Sequence, residues 1–147
     1  MSNLVLPIKR LDPSVELPRY AYCGDAGLDI RSNEDIVLKP YERAMVSTGL
    51  AIAIPDGYAG FMQPRSGLAA KQGLTVLNTP GLIDAHYRGE LKIIIINLDK
   101  EHSVSIRKGD RIAQLVIQAV PQVELNEVDD LGDTDRGQGG FGSSGVA

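Results

Sequence analysis

The sequence predicts an all-β domain with one short helix, arranged as a sandwich or a barrel. Short apolar runs alternate with turn-forming residues along most of the chain, which is typical of sheets built from many short strands. The apolar residues are mostly Ile, Val, Leu and Ala, and this composition favours strands. The chain has 147 residues, so we expect one domain that buries roughly two thirds of its unfolded surface.

Ten apolar runs are predicted to form strands, because turn-forming residues such as Gly, Pro and Asp separate them. In chain order these runs are residues 5–10, 28–31, 36–38, 43–47, 50–54, 58–63, 74–77, 91–98, 103–106 and 111–120. The composition changes after residue 123. We therefore expect residues 1–123 to form the β domain and residues 124–147 to follow it as a connector and arm.

The one predicted helix covers residues 66–72, where Leu, Ala, Lys and Gln favour helical structure. Ser66 is expected to cap its start and Gly73 to end it. Arg65 precedes the helix, so a cation, a hydroxyl and unpaired backbone N–H groups would meet at its first turn. Such an arrangement binds anions, although an ordinary capped helix beside a surface arginine has the same sequence.

Four consecutive isoleucines at residues 93–96 predict a strand that is apolar on both faces. One face would pack on the core of its own chain. In a chain of this size, we expect another subunit to cover the second face.

Charge and composition exclude several classes of protein. The net charge is −4 and the isoelectric point is near 5.1, so the chain lacks the basic surface that nucleic acids require, and no nucleic-acid partner is expected. No apolar run approaches the ~18 residues of a membrane span, and the first ten residues show no signal peptide, so we expect a cytoplasmic protein without membrane contact. The single cysteine, Cys23, cannot form an intrachain disulfide and is predicted to be buried.

The tail combines an acidic stretch at residues 124–135 with a Gly- and Ser-rich stretch at residues 136–145. The second stretch also contains Arg136 and Phe141. Arginine pairs with phosphate, phenylalanine stacks on flat rings, and glycine lets the backbone approach a ligand closely. The tail is either a flexible arm that orders over a ligand carrying a phosphate and a base, or a solvated terminus.

Three further segments carry polar residues among apolar ones. Asp84 lies in a tight turn, where it either faces a substrate or caps the turn itself. Asp29 and Gln114 lie inside apolar strands, where such residues often satisfy local backbone groups. With only two histidines in the chain, neither a histidine-rich metal site nor a histidine-based triad is expected.

Five segments, at residues 26–30, 64–69, 81–90, 109–115 and 136–145, resemble in order the five motifs of the trimeric dUTPase family. They span nearly the whole chain. The resemblance implies a jelly-roll-like antiparallel β-barrel with one short helix and a flexible C-terminal arm. It also implies a homotrimer with an active site at each subunit interface. The implied activity is Mg²⁺-assisted hydrolysis of dUTP to dUMP and pyrophosphate, which lowers dUTP and supplies the dTTP precursor dUMP.

The resemblance also implies roles on the phosphate side of the site. Asp84 would orient and deprotonate the water that attacks the α-phosphate. Asp29 would reach Mg²⁺ through water, since Mg²⁺ keeps several waters and takes direct ligands from phosphates. The residues that would hold oxygens of the triphosphate are Arg65, Ser66, Gly67 and Gln114.

On the base side, the resemblance implies that residues 78–84 receive uracil through main-chain groups, including those of Leu82 and Ile83. Asn78 would add a side-chain contact, and Lys92 is a further neighbour of the base. Tyr87 would pack on the deoxyribose and exclude a 2′-hydroxyl. In the arm, Arg136 would pair with the γ-phosphate, Phe141 would stack on uracil, and Gly142 would allow close approach.

Two other functions remain open. The related dCTP deaminases have the same barrel but carry a glutamate on the strand after the third motif, and Ile94 occupies that position here. A regulatory protein could also keep the nucleotide pocket without turnover. The complete set of motif residues argues against lost chemistry.

Overall fold

The computed structural model describes residues 4–146. The first three residues of the predicted β domain and Ala147, at the end of the predicted arm, lie outside this range. Within it, no helix combines the length and the apolar character that crossing a membrane requires. The elements are β1 (Ile8–Arg10), β2 (Leu28–Arg31), β3 (Ile36–Leu38), β4 (Arg43–Ser47), β5 (Leu50–Ile52), β6 (Tyr58–Gln63), α1 (Ser66–Gln72), β7 (Leu74–Val76), β8 (Gly81–Ile83), β9 (Lys92–Asn97), β10 (Val104–Ile106) and β11 (Arg111–Ala119).

The strands form four antiparallel sheets that share one core. The largest has the order β2-β11-β6-β8, the next β4-β9-β7, and β1-β5 and β10-β3 form two-stranded sheets. Ile30 of β2, Leu38 of β3, Val46 of β4 and Leu50 of β5 are buried in the same cluster. The prediction of a mostly β chain with one short helix is confirmed.

Every predicted run contains a strand, but one strand was not predicted. β8 follows directly on Thr79 and Pro80, so its first residue, Gly81, looked like part of a turn. Its formation depends on pairing with β6, in which Gly81 lies opposite Met62 and Ile83 opposite Gly60. This pairing joins segments about 20 residues apart and has no local sequence signal.

The isoleucine strand β9 is fully buried on one face only. Ile93 and Ile95 are completely buried, whereas Ile94 and Ile96 are half-buried. Ile94 lies opposite Met45 of β4, which is itself exposed. Burial of the second face by another subunit therefore stays a prediction.

The helix α1 has the predicted extent but a different first residue. The Arg65 backbone is extended and its carbonyl accepts a hydrogen bond from the Ala69 N–H at 3.0 Å, so Arg65 is the N-cap. The prediction of Ser66 as the cap was wrong by one residue. Gly73 ends the helix as predicted, in the left-handed conformation with φ of 65°.

The prediction that Cys23 is buried was wrong. The thiol is exposed. It lies in a turn closed by the Asp25 N–H and the Tyr22 carbonyl at 3.2 Å, within a stretch before β2 that has no strand. A hydrophobic residue type alone does not place a side chain in the core when its segment has no sheet partner.

Residues 120–146 follow the last strand as an extended, exposed segment. The Val120 N–H donates to the Gly57 carbonyl at 2.8 Å, and residues 121–138 are all exposed. The backbone hydrogen bonds found further along the segment join residues three positions apart, as from Gly137 to Thr134. The segment is thus held by local turns.

Candidate active site

A pocket of about 260 Å³ lies between β8, β9 and the loop that joins them. The predicted site residues that line it are Asn78, Leu82, Ile83, Asp84, Tyr87 and Lys92. The further lining residues are Met45, Met62, Val76, Gly81, Glu90, Leu91, Ile93 and Ile94. The structure therefore brings together the six residues predicted for the base, the sugar and the attacking water.

The pairing of β8 with β6 places Asp84 at the edge of this pocket. Asp84 follows Ile83, the last residue of β8, and is exposed. Its main-chain carbonyl accepts the Tyr87 N–H at 3.1 Å, which closes the turn. Within residues 4–146, its carboxylate accepts no hydrogen bond from the protein and is free to bind water or substrate.

Asn78 lies against β8 from the preceding turn. A Cβ built on Gly81 would come within 3.2 Å of the Asn78 amide nitrogen and 3.4 Å of the Met62 side chain. A glycine at this position lets the amide lie close to the β8 backbone. The amide thus borders the pocket beside the main-chain groups of β8.

Tyr87 is held by a hydrogen bond of its hydroxyl, and the hydroxyl end of its ring lies close to Gly89. The hydroxyl donates to the Glu90 carbonyl at 2.8 Å. A Cβ on Gly89 would lie only 2.6 Å from the ring carbon that bears the hydroxyl, so a larger residue there would displace the ring. Tyr87 remains 47% exposed, which leaves part of the ring open towards the pocket.

A second cluster joins three of the residues predicted for the triphosphate side. Asp29 of β2 pairs through Oδ1 with Arg65 Nε at 3.7 Å and through Oδ2 with Arg111 Nη1 at 3.0 Å. Arg65 Nη1 also donates to the Arg111 carbonyl at 3.0 Å. Gln114 lies opposite Asp29 in the register of β11 with β2.

Gln114 connects this cluster to the start of the helix. Its Nε2 donates to the Pro64 carbonyl at 2.9 Å, which ties β11 to the residues that precede α1. Ser66 and Gly67 are exposed at the first turn, and no atom lies within 4 Å of a Cβ built on Gly67. Their backbone N–H groups lie in the first turn, where N–H groups have no partner within the helix.

The pocket and the second cluster are separate within one chain. None of Asp29, Arg65, Ser66, Gly67 and Gln114 lines the pocket. The predicted arm residues Arg136, Phe141 and Gly142 are exposed and line neither region, and Arg136 Nε donates to the nearby Gly139 carbonyl at 2.8 Å. One chain therefore presents two parts of the predicted site and an unengaged arm.

The donor set suits a magnesium ion that arrives with a phosphate ligand. Residues 4–146 contain no group of three His, Cys, Asp or Glu side chains that could hold a metal. The second cluster offers the single carboxylate of Asp29, a hard oxygen donor of the type that Mg²⁺ prefers. The remaining ligands would have to be water and phosphate oxygens.

Two residues of the site were not singled out from the sequence. Arg111 pairs with Asp29 and precedes Gln114 in the segment 109–115, so its position beside a candidate residue was the available signal. Glu90 lines the pocket and follows Gly89 at the end of the segment 81–90. Its hydrogen bond from the Ser47 hydroxyl, with help from the Gly49 N–H, lowers the pKa of its carboxyl against the opposing effect of burial.

A sequence profile of the dUTPase family matches residues 14–145. The chain belongs to the dUTPase family. The predicted resemblance is confirmed, and so is the prediction of an enzyme.

Individual relatives agree with this dUTPase assignment. The deoxyuridine 5′-triphosphate nucleotidohydrolase of Thermobifida fusca (strain YX) is 60% identical over 138 residues, which are 94% of this chain and 77% of the relative. The enzyme of the same name from Nocardia farcinica (strain IFM 10152) is 54% identical over 140 residues, which are 95% of this chain and 85% of the relative.

Solved dUTPase structures have the same fold. Staphylococcus bacteriophage 80alpha dUTPase with dUpNHpp is 37% identical with a TM-score of 0.90, and the match covers 98% of this chain and 100% of the phage chain. A variant dUTPase from phage phi11 of S. aureus, whose structure concerns a structural Mg(II) ion, is 32% identical with a TM-score of 0.82. That match covers 88% of this chain and 100% of the phage chain.

Proposed function

We propose that this dUTPase hydrolyses dUTP to dUMP and pyrophosphate by attack of water on the α-phosphate. The observation that carries the proposal is the pocket in which β8 and the loop after it bring Asn78, Asp84 and Tyr87 together. Relatives named for the same substrate and a phage structure with dUpNHpp support the substrate class. The reaction would lower dUTP and supply dUMP, the precursor of dTTP.

The base and sugar are selected at the pocket. Main-chain groups of Leu82 and Ile83 and the amide of Asn78 read the edge of uracil, with Lys92 as a further neighbour. A base with another donor–acceptor pattern would leave polar groups unpaired, which is costly in a closed site. The ring of Tyr87 packs on the deoxyribose and leaves no space for a 2′-hydroxyl.

Asp84 is the general base. Its exposed carboxylate lies at the pocket edge, where it can orient a water molecule and take its proton as the α-phosphorus is attacked. Pyrophosphate leaves on the side opposite the attacking water, as an in-line displacement requires.

The second cluster holds the triphosphate. The Arg65 guanidinium and the N–H groups at Ser66 and Gly67 bind phosphate oxygens, and Gln114 adds a contact from β11. Mg²⁺, when bound, neutralises charge that builds up on the phosphate oxygens. Asp29 would hold that ion through water, and Arg65 would exchange its ion pair with Asp29 for a phosphate contact.

The separation of the two regions supports a homotrimer with sites at its interfaces. One subunit would contribute the pocket with Asp84, and a neighbour would contribute the cluster around Asp29. The half-buried Ile94 and Ile96 and the exposed Met45 give the apolar surface that such an interface needs. Each subunit would be a jelly-roll-like barrel formed by the four sheets.

Residues 124–147 act as the acidic connector and the arm that closes the site. The Phe141 side chain is fully exposed in the described chain and is available to stack on uracil. Arg136 would leave its local bond to Gly139 and pair with the γ-phosphate, while Gly142 lets the backbone come close. Closure excludes water other than the attacking one.

The side chains at Glu90 and Ile94 favour hydrolysis over deamination. Glu90 is a carboxylate that lines the pocket, but its Oε1 already accepts hydrogen bonds from the Ser47 hydroxyl and the Gly49 N–H. The position of the deaminase glutamate is occupied by Ile94, which cannot transfer protons.

The test is an assay of pyrophosphate release from dUTP, dCTP, dTTP and UTP, with and without Mg²⁺. The proposal expects Mg²⁺-dependent release from dUTP and much slower release from the other three. Binding of dUTP without release would support a regulatory protein instead. Ammonia release from dCTP would support a deaminase.

A further inference from the structure

Glu90 connects the loop after β8 to the turn between β4 and β5. Its Oε1 accepts hydrogen bonds from the Ser47 hydroxyl and from the Gly49 N–H at 3.0 Å. Both donors lie more than 40 positions earlier in the chain. The carboxylate therefore adds a side-chain contact beside the pairing of β4 with β9, in which Ser47 lies opposite Lys92.

Neighbouring hydrogen bonds make this connection rigid. The buried Thr48 hydroxyl donates to the Leu91 carbonyl at 2.5 Å. The Leu91 N–H donates to the Leu50 carbonyl at 2.8 Å. Residues 90 and 91 are thus held from both sides of the turn, in a part-buried setting where hydrogen bonds compete little with water.

The same residue holds the sugar-facing tyrosine through its main chain. The Glu90 carbonyl accepts the Tyr87 hydroxyl at 2.8 Å, and the ring lies across Gly89. A shift of Glu90 would move the acceptor of that hydroxyl. The position of the ring in the pocket therefore depends on where the Glu90 backbone lies.

We infer that Glu90 is a positioning residue for sugar selection: its carboxylate, anchored on Ser47 and Gly49, fixes the carbonyl that holds the Tyr87 ring against the sugar. This inference rests on the proposed function, in which Tyr87 excludes a 2′-hydroxyl. Glu90 itself touches neither the reacting phosphate nor the water. Its effect should appear in the choice between deoxyribose and ribose.

The test compares Glu90→Ala, Ser47→Ala and Tyr87→Phe with the wild type and with the control Glu101→Ala. Glu101 is an exposed glutamate outside the pocket. The measurements are kcat/KM for dUTP and UTP, and the Kd values of dUMP and UMP by calorimetry. Ratios between two ligands do not depend on how much of a preparation is folded.

We expect Glu90→Ala to lower the preference for the deoxyribose ligand about fivefold, the change that loss of one typical hydrogen bond represents. Ser47→Ala and Tyr87→Phe should change the ratio in the same direction. The double variant of Glu90→Ala and Ser47→Ala should differ little from Glu90→Ala alone, because the bond between these two residues is already lost in the single variant. Glu101→Ala should keep the wild-type ratio.

An unchanged ratio in Glu90→Ala would overturn the inference. Should that variant fail to fold, unchanged ratios in both Ser47→Ala and Tyr87→Phe would overturn it equally. Absence of dUTP turnover in the wild type would count against the proposed function instead. The Kd ratio of dUMP to UMP would then still decide the role of Glu90, since it requires no turnover.

Discussion

At the scale of single residues, Asp84 differs from Asp29, the other aspartate of the proposed site. Asp29 is half-buried between two arginines. Asp84 is exposed at the pocket edge, and the turn is closed by its main-chain carbonyl and not by its carboxylate. The turn-capping interpretation of Asp84 is therefore not what the structure shows. An unengaged carboxylate can accept a proton from water, and this is the role we propose for it.

Asp84→Asn removes the base but keeps the size and most of the polarity of the side chain. We expect kcat for dUTP to fall by about 10²- to 10⁴-fold, the usual contribution of a general base. The Kd of dUMP should change little, since the pocket is retained. Near-normal kcat with intact binding would contradict the assignment.

At the scale of elements, the end of α1 packs tightly on the segment after β9. Gly73 has φ of 65°, and a Cβ there would lie 2.8 Å from the Asp99 backbone nitrogen. The Leu98 N–H donates to the Gly73 carbonyl at 2.8 Å. Glycine at this position satisfies both the backbone angle and the close approach.

We therefore expect Gly73→Ala to be destabilised by more than the ~1–2 kcal/mol that a left-handed alanine costs. Gly57→Ala is the matched control, because Gly57 has φ of 82° but open space around it. Urea midpoints measured at one protein concentration compare the two. Equal losses would show that the contact with residue 99 adds no cost.

How far the sequence predicts each element depends on whether its signal is local. The strands bounded by turn residues and the helix end at Gly73 have such signals, and the sequence places them correctly. β8 and the link from Glu90 to Ser47 depend on partners distant in the chain. The exposure of Cys23 likewise depends on the absence of a sheet partner, which residue type does not reveal.

The role proposed for the arm requires a ligand. Its described residues form local turns, and Phe141 packs on nothing within them. Removal of residues 136–147 should leave the urea midpoint unchanged. It should lower kcat for dUTP on the order of 100-fold, as expected when positioning contacts are lost.

Full activity after this truncation would show that the glycine-rich tail is a solvated terminus. Arg136→Ala in the intact chain is the complementary variant, because it removes one proposed phosphate contact and keeps the glycines. A loss of activity in the truncated form with none in Arg136→Ala would assign the effect to Phe141 or to the backbone.

At the scale of the whole molecule, the central feature is the separation of Asp84 from the cluster around Asp29. The residues of the base side meet in one pocket, and Arg65 and Gln114 meet Asp29 elsewhere on the same chain. In the proposed reaction, a triphosphate nucleotide must reach both regions. A site shared between subunits satisfies this requirement, and a homotrimer provides three such sites.

Mixed trimers test this arrangement. Asp84→Asn chains and Arg65→Ala chains should each be nearly inactive alone. The two variants are then unfolded together and refolded at equal amounts. An intact site needs Asp84 from an Arg65→Ala chain and Arg65 from an Asp84→Asn chain. Each of these choices has a chance of one half, so about a quarter of the sites should be intact. Asp84→Asn chains refolded alone are the control, and a mass measurement in solution verifies the trimer. No regain of activity would mean that both residues come from one chain.

Hydrolysis of dUTP in ¹⁸O-enriched water tests the proposed reaction most directly. Mass spectrometry of the products locates the bond that the water forms. Attack at the α-phosphate predicts one heavy oxygen in the dUMP phosphate and none in pyrophosphate. Label in pyrophosphate, or release of inorganic phosphate in place of pyrophosphate, would contradict the account.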